Sequence, residues 1–289
     1  MSRYSVKDPD EIGRVNEKIT YSSFLAIQNS PFVAIQPHGI KPPFYACGHH
    51  PRLISLAQAV GSDQPYYKLD AYALLEERLA NDHGIDLPIE EIAHYFVSKI
   101  LTSQKVGPYY LAGGCEGAII AFEIAQQLVS GGHQIAMLVL WDTPIPKYWS
   151  DEAARQLTVR RLRNLFSGGR VEFKRRLGGV INKAKSTFSR ANVRSSAQSH
   201  VEQVLMKAAR NYEAKSYQGH ITLFSANESD FECSEPTLGW ETLARQGVDV
   251  HVLPGNHTTY YQQNFVTFAE TLKTCLAKAQ TSERFKLNL

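Results

Sequence analysis

Residues 109–128 read YYLAGGCEGAIIAFEIAQQL: a short apolar run, a glycine-flanked bend carrying Cys115, and a second run that is again almost wholly apolar. The bend, Gly113-Gly114-Cys115-Glu116-Gly117, has the form G-x-C-x-G. It differs by one letter from G-x-S-x-G, the elbow in which a tight strand-to-helix turn exposes a nucleophile above the edge of a sheet. Gly113 and Gly117 leave room for neighbouring backbone where a Cβ would collide. A sulfur held there sits at a helix N-terminus, where the dipole and the N–H groups favour a thiolate and a developing oxyanion. The backbone N–H of Glu116 is one candidate oxyanion donor. A second would come from the loop after FYACG, at the backbone N–H of His49 or His50. The competing reading is an inert cysteine buried in a glycine-packed turn.

A cysteine nucleophile is activated by a base, and the base is oriented by a third group. Elbow enzymes place these along the chain in the order nucleophile, acid, histidine. Asp142 ends the apolar run LVLWDTP, 27 residues after Cys115. A carboxylate at the end of that strand can orient an imidazole. D-T-P is also good turn chemistry, so a capping role for Asp142 stands beside this one. His257 follows in VLPGNHTTYY, where Gly255 and Asn256 form a tight turn able to aim the ring at the elbow. Of the ten histidines it alone falls after a late strand and before the final helical segment; His251 lies inside a strand pattern.

These side chains need a sheet beneath them. SPFVAIQP, PPFYACG, QPYYKLDAY, PYYLAGG, QIAMLVLWDTP, GHITLFSAN and VDVHVLPGNH read as strands. RLISLAQAVG (closed by Gly61), PIEEIAHYFVSKIL, residues 117–129, LGWETLARQG and FVTFAETLKTCLAK read as helices. Their alternation implies an α/β fold, a mostly parallel central sheet with helices on both faces. The arrangement predicted is of the α/β-hydrolase type, with a helical lid inserted after WDTP. The expected boundaries are a lead-in over 1–30, a core over 31–146 and 216–280, a basic helical lid over 147–215, and a tail over 281–289.

At 289 residues, 43% hydrophobic and 20% charged, the composition is that of a globular protein. No apolar run approaches the roughly 20 residues of a membrane helix, and the N-terminus lacks the apolar stretch of a secretory signal, so a cytoplasmic protein is expected. Cys47, Cys115, Cys233 and Cys275 show no C-x-x-C spacing, which speaks against zinc or a disulfide framework. The net charge of +3 hides an asymmetry: residues 153–195 hold twelve Lys or Arg and one acid, Glu172. Such a segment either steers an acidic partner or forms solvated basic helix faces. No aromatic interleaving points to nucleic acid, and no Trp/Leu face points to a membrane surface.

Taken together, GIKPPFYACGHH, GPYYLAGGCEGAIIAFEIAQQL, LVLWDTP, YQGHITLFSA, LGWETLA and VHVLPGNHTTYY resemble the thioesterase domains that end non-ribosomal peptide and polyketide assembly lines. The resemblance runs over about residues 31–276 and is weakest in the lid. It implies an acyl-enzyme at Cys115, with His257 as base and Asp142 as its orienter. The substrate it implies is an acyl, aminoacyl or peptidyl thioester on the phosphopantetheine arm of a carrier protein, with no metal and no cofactor of the enzyme's own. Because carrier domains are commonly acidic, the basic lid is a candidate docking face.

The chain departs from the family pattern at three places: Cys115 replaces the usual serine, GHHPRL replaces a glycine-rich loop, and Asn256 replaces an aspartate. A thiol exchanges one thioester for another, a nearly thermoneutral step that leaves the acyl group activated. Two reactions are therefore expected candidates: release by cyclisation or hydrolysis, and transfer between carrier thiols. A chain that starts at Met1 without a carrier segment suits a stand-alone protein and, equally, a piece of a larger synthetase. A third reading is a non-catalytic scaffold. It draws on Glu116, whose carboxylate, if turned inward, would work against a thiolate.

Overall fold

A computed structural model describes residues 30–81, 86–149, 196–228, 235–257 and 259–287. The lead-in before residue 30, the basic segment 153–195 and Cys233 lie outside the described residues. The strands are β1 (Phe32–Gln36), β2 (Phe44–Cys47), β3 (Tyr66–Leu69), β4 (Tyr109–Gly114), β5 (Ile135–Trp141), β6 (Ile221–Ala226) and β7 (Val248–Leu253). They form one sheet in the order β1-β3-β2-β4-β5-β6-β7. All neighbours are parallel except the edge pair β1 and β3. The fold is α/β, with a mostly parallel sheet covered by helices on both faces, as predicted.

The helices are α1 (Arg52–Val60), α2 (Ala71–Asn81), α3 (Ile89–Ser103), α4 (Glu116–Ser130), α5 (Ser196–Asn211), α6 (Thr259–Gln262) and α7 (Phe265–Leu287). Alternate residues of each buried strand feed two apolar layers, because strand side chains point to opposite faces. Leu111 of β4 and Leu138 and Leu140 of β5 pack with α2, α3, α4 and α5. Tyr110 and Ala112 of β4 and Met137, Val139 and Trp141 of β5 pack with α1, α6 and α7. Strands buried on both faces read as continuous apolar runs, which is why β4 and β5 are so plain in the sequence. Leu111 is fully buried, and Leu111→Ala should cost about 2–5 kcal/mol.

The sheet order also locates a site. From β2 the chain moves outward to β3 and then returns across β2 to β4. The loops leaving β2 and β4 therefore diverge, and a crevice opens at the carboxyl ends of these two strands.

Three local readings change. LGWETLARQG forms only a 3-10 turn, Trp240–Thr242. Leu238 and Gly239 both have positive φ and break any helix before it starts, while Trp240 is pulled into the core against Phe122. Residues 71–81 form a helix, although the sequence pattern predicts strand up to Tyr72. Asp70 ends the strand: its Oδ1 accepts from the N–H groups of Tyr72 and Ala73 and caps α2. Finally, α7 continues to Leu287, past the boundary expected at 280. Gln134 donates to the buried Glu283 at 2.8 Å there, so most of the expected tail is helix.

Candidate active site

Cys115 caps the N-terminus of α4 with φ 52° and ψ −129°. That region is sparsely populated by L-residues, and holding a side chain in it costs on the order of 1–3 kcal/mol. Two glycines let the bend close. A Cβ on Gly113 would run into the carbonyl of Gly117, and one on Gly117 would run into the carbonyl of Cys47. The elbow is thus packed against both its own helix and the end of β2. Its sulfur stands 3.1 Å from Nε2 of His257.

The histidine arrives from the far side of the sheet. After β7, Pro254, Gly255 and Asn256 turn the chain, with Gly255 at φ 99°. The Gly255 N–H donates to Asn227 Oδ1 at 2.8 Å, and Asn264 Nδ2 donates to the Pro254 carbonyl at 2.9 Å. Asn256 caps α6: its Oδ1 accepts from Thr259 N–H at 3.0 Å, while its own N–H donates to Thr259 Oγ1 at 2.8 Å. An amide at 256 therefore supplies the acceptor this turn uses. The turn places the His257 ring between the elbow and the end of β5.

Asp142 completes the line. It is fully buried, and its Oδ2 lies 2.9 Å from His257 Nδ1. Its Oδ1 accepts from Ala226 N–H at 2.9 Å, which fixes the carboxylate on β6. Since a carboxylate accepts, Nδ1 carries the proton and Nε2 faces the sulfur. Burial opposes charge on the His257 ring, but the hydrogen bonds to Asp142 and Cys115 outweigh it and raise the pKa to about 10. The three residues predicted to act together are thus brought together, in one chain of contacts.

The loop after β2 lies at the same sheet edge. Gly48 N–H is spent on the Leu69 carbonyl at 2.9 Å, closing the ladder to β3. Both histidine rings that follow hold the loop. His49 Nδ1 donates to the buried Asp70 at 2.9 Å, and Lys68 Nζ donates to the same carboxylate oxygen at 2.9 Å. His50 Nδ1 accepts from Arg52 N–H at 3.1 Å, and its ring meets Tyr261 edge-on. Burial, with Arg52 and His49 nearby, lowers the pKa of His50. The sequence suggested the loop but not Asp70 or Lys68, whose partnership with His49 spans about twenty residues.

Two further residues escaped the sequence reading. D-T-P reads as turn chemistry, yet the Thr143 hydroxyl accepts from Cys115 N–H at 2.8 Å. The sequence pattern puts Trp240 on a helix, yet its indole N–H donates to the Thr143 carbonyl at 2.6 Å. The only signals were a hydroxyl beside the acid and an unusual tryptophan after glycine. Among the described residues, no group of His, Cys, Asp and Glu side chains is arranged to hold a metal ion. No helix among them is long and apolar enough to cross a membrane.

Comparison with known proteins gives the site a family. A Thioesterase domain model matches residues 55–276. Malpinin synthetase of Mortierella alpina is 32% identical over 115 residues, covering 38% of this chain and 1% of that protein. Nonribosomal peptide synthetase atqA of Aspergillus terreus is 25% identical over 282 residues, covering 85% of this chain and 29% of that protein. The chain thus spans less than a third of the length of either. Among solved structures, the NocB thioesterase domain from the nocardicin cluster superposes with a TM-score of 0.59 at 17% identity, over 85% of this chain and 98% of that one. At that identity the likeness is one of fold.

Proposed function

The chain belongs to the thioesterase-domain family, and from that premise we propose that it takes an acyl, aminoacyl or peptidyl group from a carrier-bound thioester onto Cys115 and then releases it. The observation that carries this is the unbroken line from the sulfur through His257 to the buried Asp142, at 3.1 and 2.9 Å. In the first half-reaction the Cys115 sulfur, with its proton already held by His257, bonds to the acyl carbon. The bond from that carbon to the carrier's pantetheine sulfur then breaks, and His257 returns the proton to the departing thiol. In the second half-reaction water or a nucleophile within the acyl chain loses its proton to His257 and bonds to the acyl carbon; the bond to sulfur breaks, leaving the Cys115 thiolate beside protonated His257 and giving an acid or a ring. The Glu116 N–H, at the first turn of α4, and the N–H of His49 or His50 are the donors proposed for the oxyanion. The phosphopantetheine belongs to the carrier, and the basic segment 153–195 would attract that acidic partner, with an association rate that falls as salt rises.

The identity of the nucleophile favours a second reading of the last step. A thioester on Cys115 is as activated as the one it came from, so a second carrier's thiol can accept the group at little free-energy cost. Intact mass decides between these readings. Incubation with an acyl-loaded carrier should add the acyl mass to the protein, and Cys115→Ala should abolish the gain. Decay of the adduct in buffer to acid or cyclic product identifies release, whereas persistence until an unloaded carrier is added identifies transfer. If no donor leaves mass on the wild-type chain, the acyl-enzyme proposal fails.

A further inference from the structure

The Cys115 bend creates a backbone problem. Its positive φ turns the residue out of the β4–β5 ladder, which ends at the pair Gly114 and Trp141. As the helix cap, its N–H has no partner within α4. A donor left unsatisfied beside the buried end of β5 would bear the full desolvation penalty of that group, and Thr143 removes it. Its Oγ1 accepts from Cys115 N–H at 2.8 Å and donates its single proton to the Trp141 carbonyl at 2.7 Å. The hydroxyl thereby extends the ladder by one rung, inserted where the backbone itself no longer reaches.

We propose that Thr143 is a positioning residue that sets the distance between nucleophile and acid. Thr143 follows Asp142 directly, and further polar contacts hold this short segment in place. Asp142 N–H donates to Phe224 O at 2.6 Å, Asp142 Oδ1 is held by Ala226, and Thr143 O is held by the Trp240 indole. Both Asp142 and Thr143 are fully buried. The contacts close a ring: Cys115 N–H to Thr143, along the backbone to Asp142, through His257, and back to the Cys115 sulfur. His257 can meet its two partners at once only while the elbow and the acid stay in register, and the hydroxyl ties Cys115 itself to the residue after Asp142, one step beyond the Gly114–Trp141 pair. The inference rests on the reading of Cys115 as nucleophile, but not on a carrier as the acyl source.

The test is the rate at which iodoacetamide alkylates Cys115, followed by intact mass and peptide mapping between pH 5 and 10. Thr143→Val keeps the shape and removes the hydroxyl. It should slow alkylation at pH 7 about tenfold, the effect of losing one hydrogen bond's worth of alignment, and should change the pH profile. Thr143→Ser restores the hydroxyl and should return both to within about twofold of wild type. Amide exchange on the wild-type protein supplies an arm that no folding defect can spoil: Cys115 N–H should be protected although it lies outside the helix ladder. Wild-type rate and profile in folded Thr143→Val would overturn the proposal. So would a serine variant as slow as the valine one, or an unprotected Cys115 amide. Because no carrier takes part, a failure to load Cys115 from a carrier would sink only the functional reading.

Discussion

Among the described residues, two cysteine–histidine pairs lie in different surroundings. Cys115 and His257 stand 3.1 Å apart, sulfur to Nε2; Cys275 of α7 and His251 of β7 stand 3.5 Å apart through the same two atoms. What differs is the surroundings. A buried carboxylate holds the far nitrogen of His257, whereas Asp249, on the strand of His251, pairs with His220 instead. Cys115 begins a helix and Cys275 lies well inside one, away from the positive end of the dipole. Burial pushes the Cys275 thiol upward, with Asp249 adding to the rise and Lys278 opposing it. Proximity of a thiol and an imidazole is therefore not enough. Under the proposed function, the acid behind the ring and the strained bend beneath the sulfur are what set Cys115 apart.

That contrast can be broken at several points. The largest effect should come from Cys115→Ala or His257→Ala, each expected to lower acyl-transfer turnover by about 10⁴-fold or more, since residues acting as a unit fail together. Asp142→Asn should follow closely, at about 10³–10⁴-fold in kcat, because an amide no longer holds the imidazole in the tautomer that faces sulfur. Next, timed alkylation with mass mapping should find Cys115 about a hundredfold faster than Cys275 at pH 7. Equal rates at the two thiols would erase the distinction drawn here.

A smaller effect concerns pH and stability. The pKa of His257 is raised from the ordinary 6.5 to about 10 by its folded partners. A raised folded-state value favours the folded protein fully below about pH 6.5 and loses that contribution as pH climbs through about 10. Denaturant titrations of wild type and His257→Gln should therefore diverge most at low pH within this window and converge near its upper end. Cys115→Ala should bring the upper end down, because the sulfur is one of the groups that raise the imidazole. The smallest effects belong to the second pair. Cys275→Ser should change stability by about 1 kcal/mol or less, and His251→Gln should leave acyl transfer unchanged in a turnover assay.

How much of this the sequence disclosed follows from which forces are local. The elbow was legible because a doubly buried strand, two close-approach glycines and an apolar helix all lie within twenty letters. Asp142 and His257 were legible because chain order and strand ends constrain them, even though their contacts span the sheet. Thr143 and Trp240 were not, because each works through a partner far along the chain, and a threonine after aspartate looks like any turn. The same holds for the Lys68–Asp70–His49 cluster beneath the β2 loop. The helix over 71–81 was hidden for a different reason: Asp70 reads equally well as the end of a strand and the start of a helix. LGWETLARQG was misread because its helical spacing gave no hint of the positive φ at Leu238 and Gly239.

The position of α5 bears on how such a protein can be rebuilt. This helix falls inside the stretch 147–215 that the sequence pattern marks as an insertion, yet Val201, Leu205, Ala208 and Ala209 belong to the apolar layer that also contains α2 and α4. Tyr212, just past its end, donates to the nearly buried Glu123 of α4 at 2.5 Å. A chimera that exchanged the whole of 147–215 for a relative's segment would strip a wall from the host's apolar layer. In any such exchange α5 should therefore stay with its host sheet.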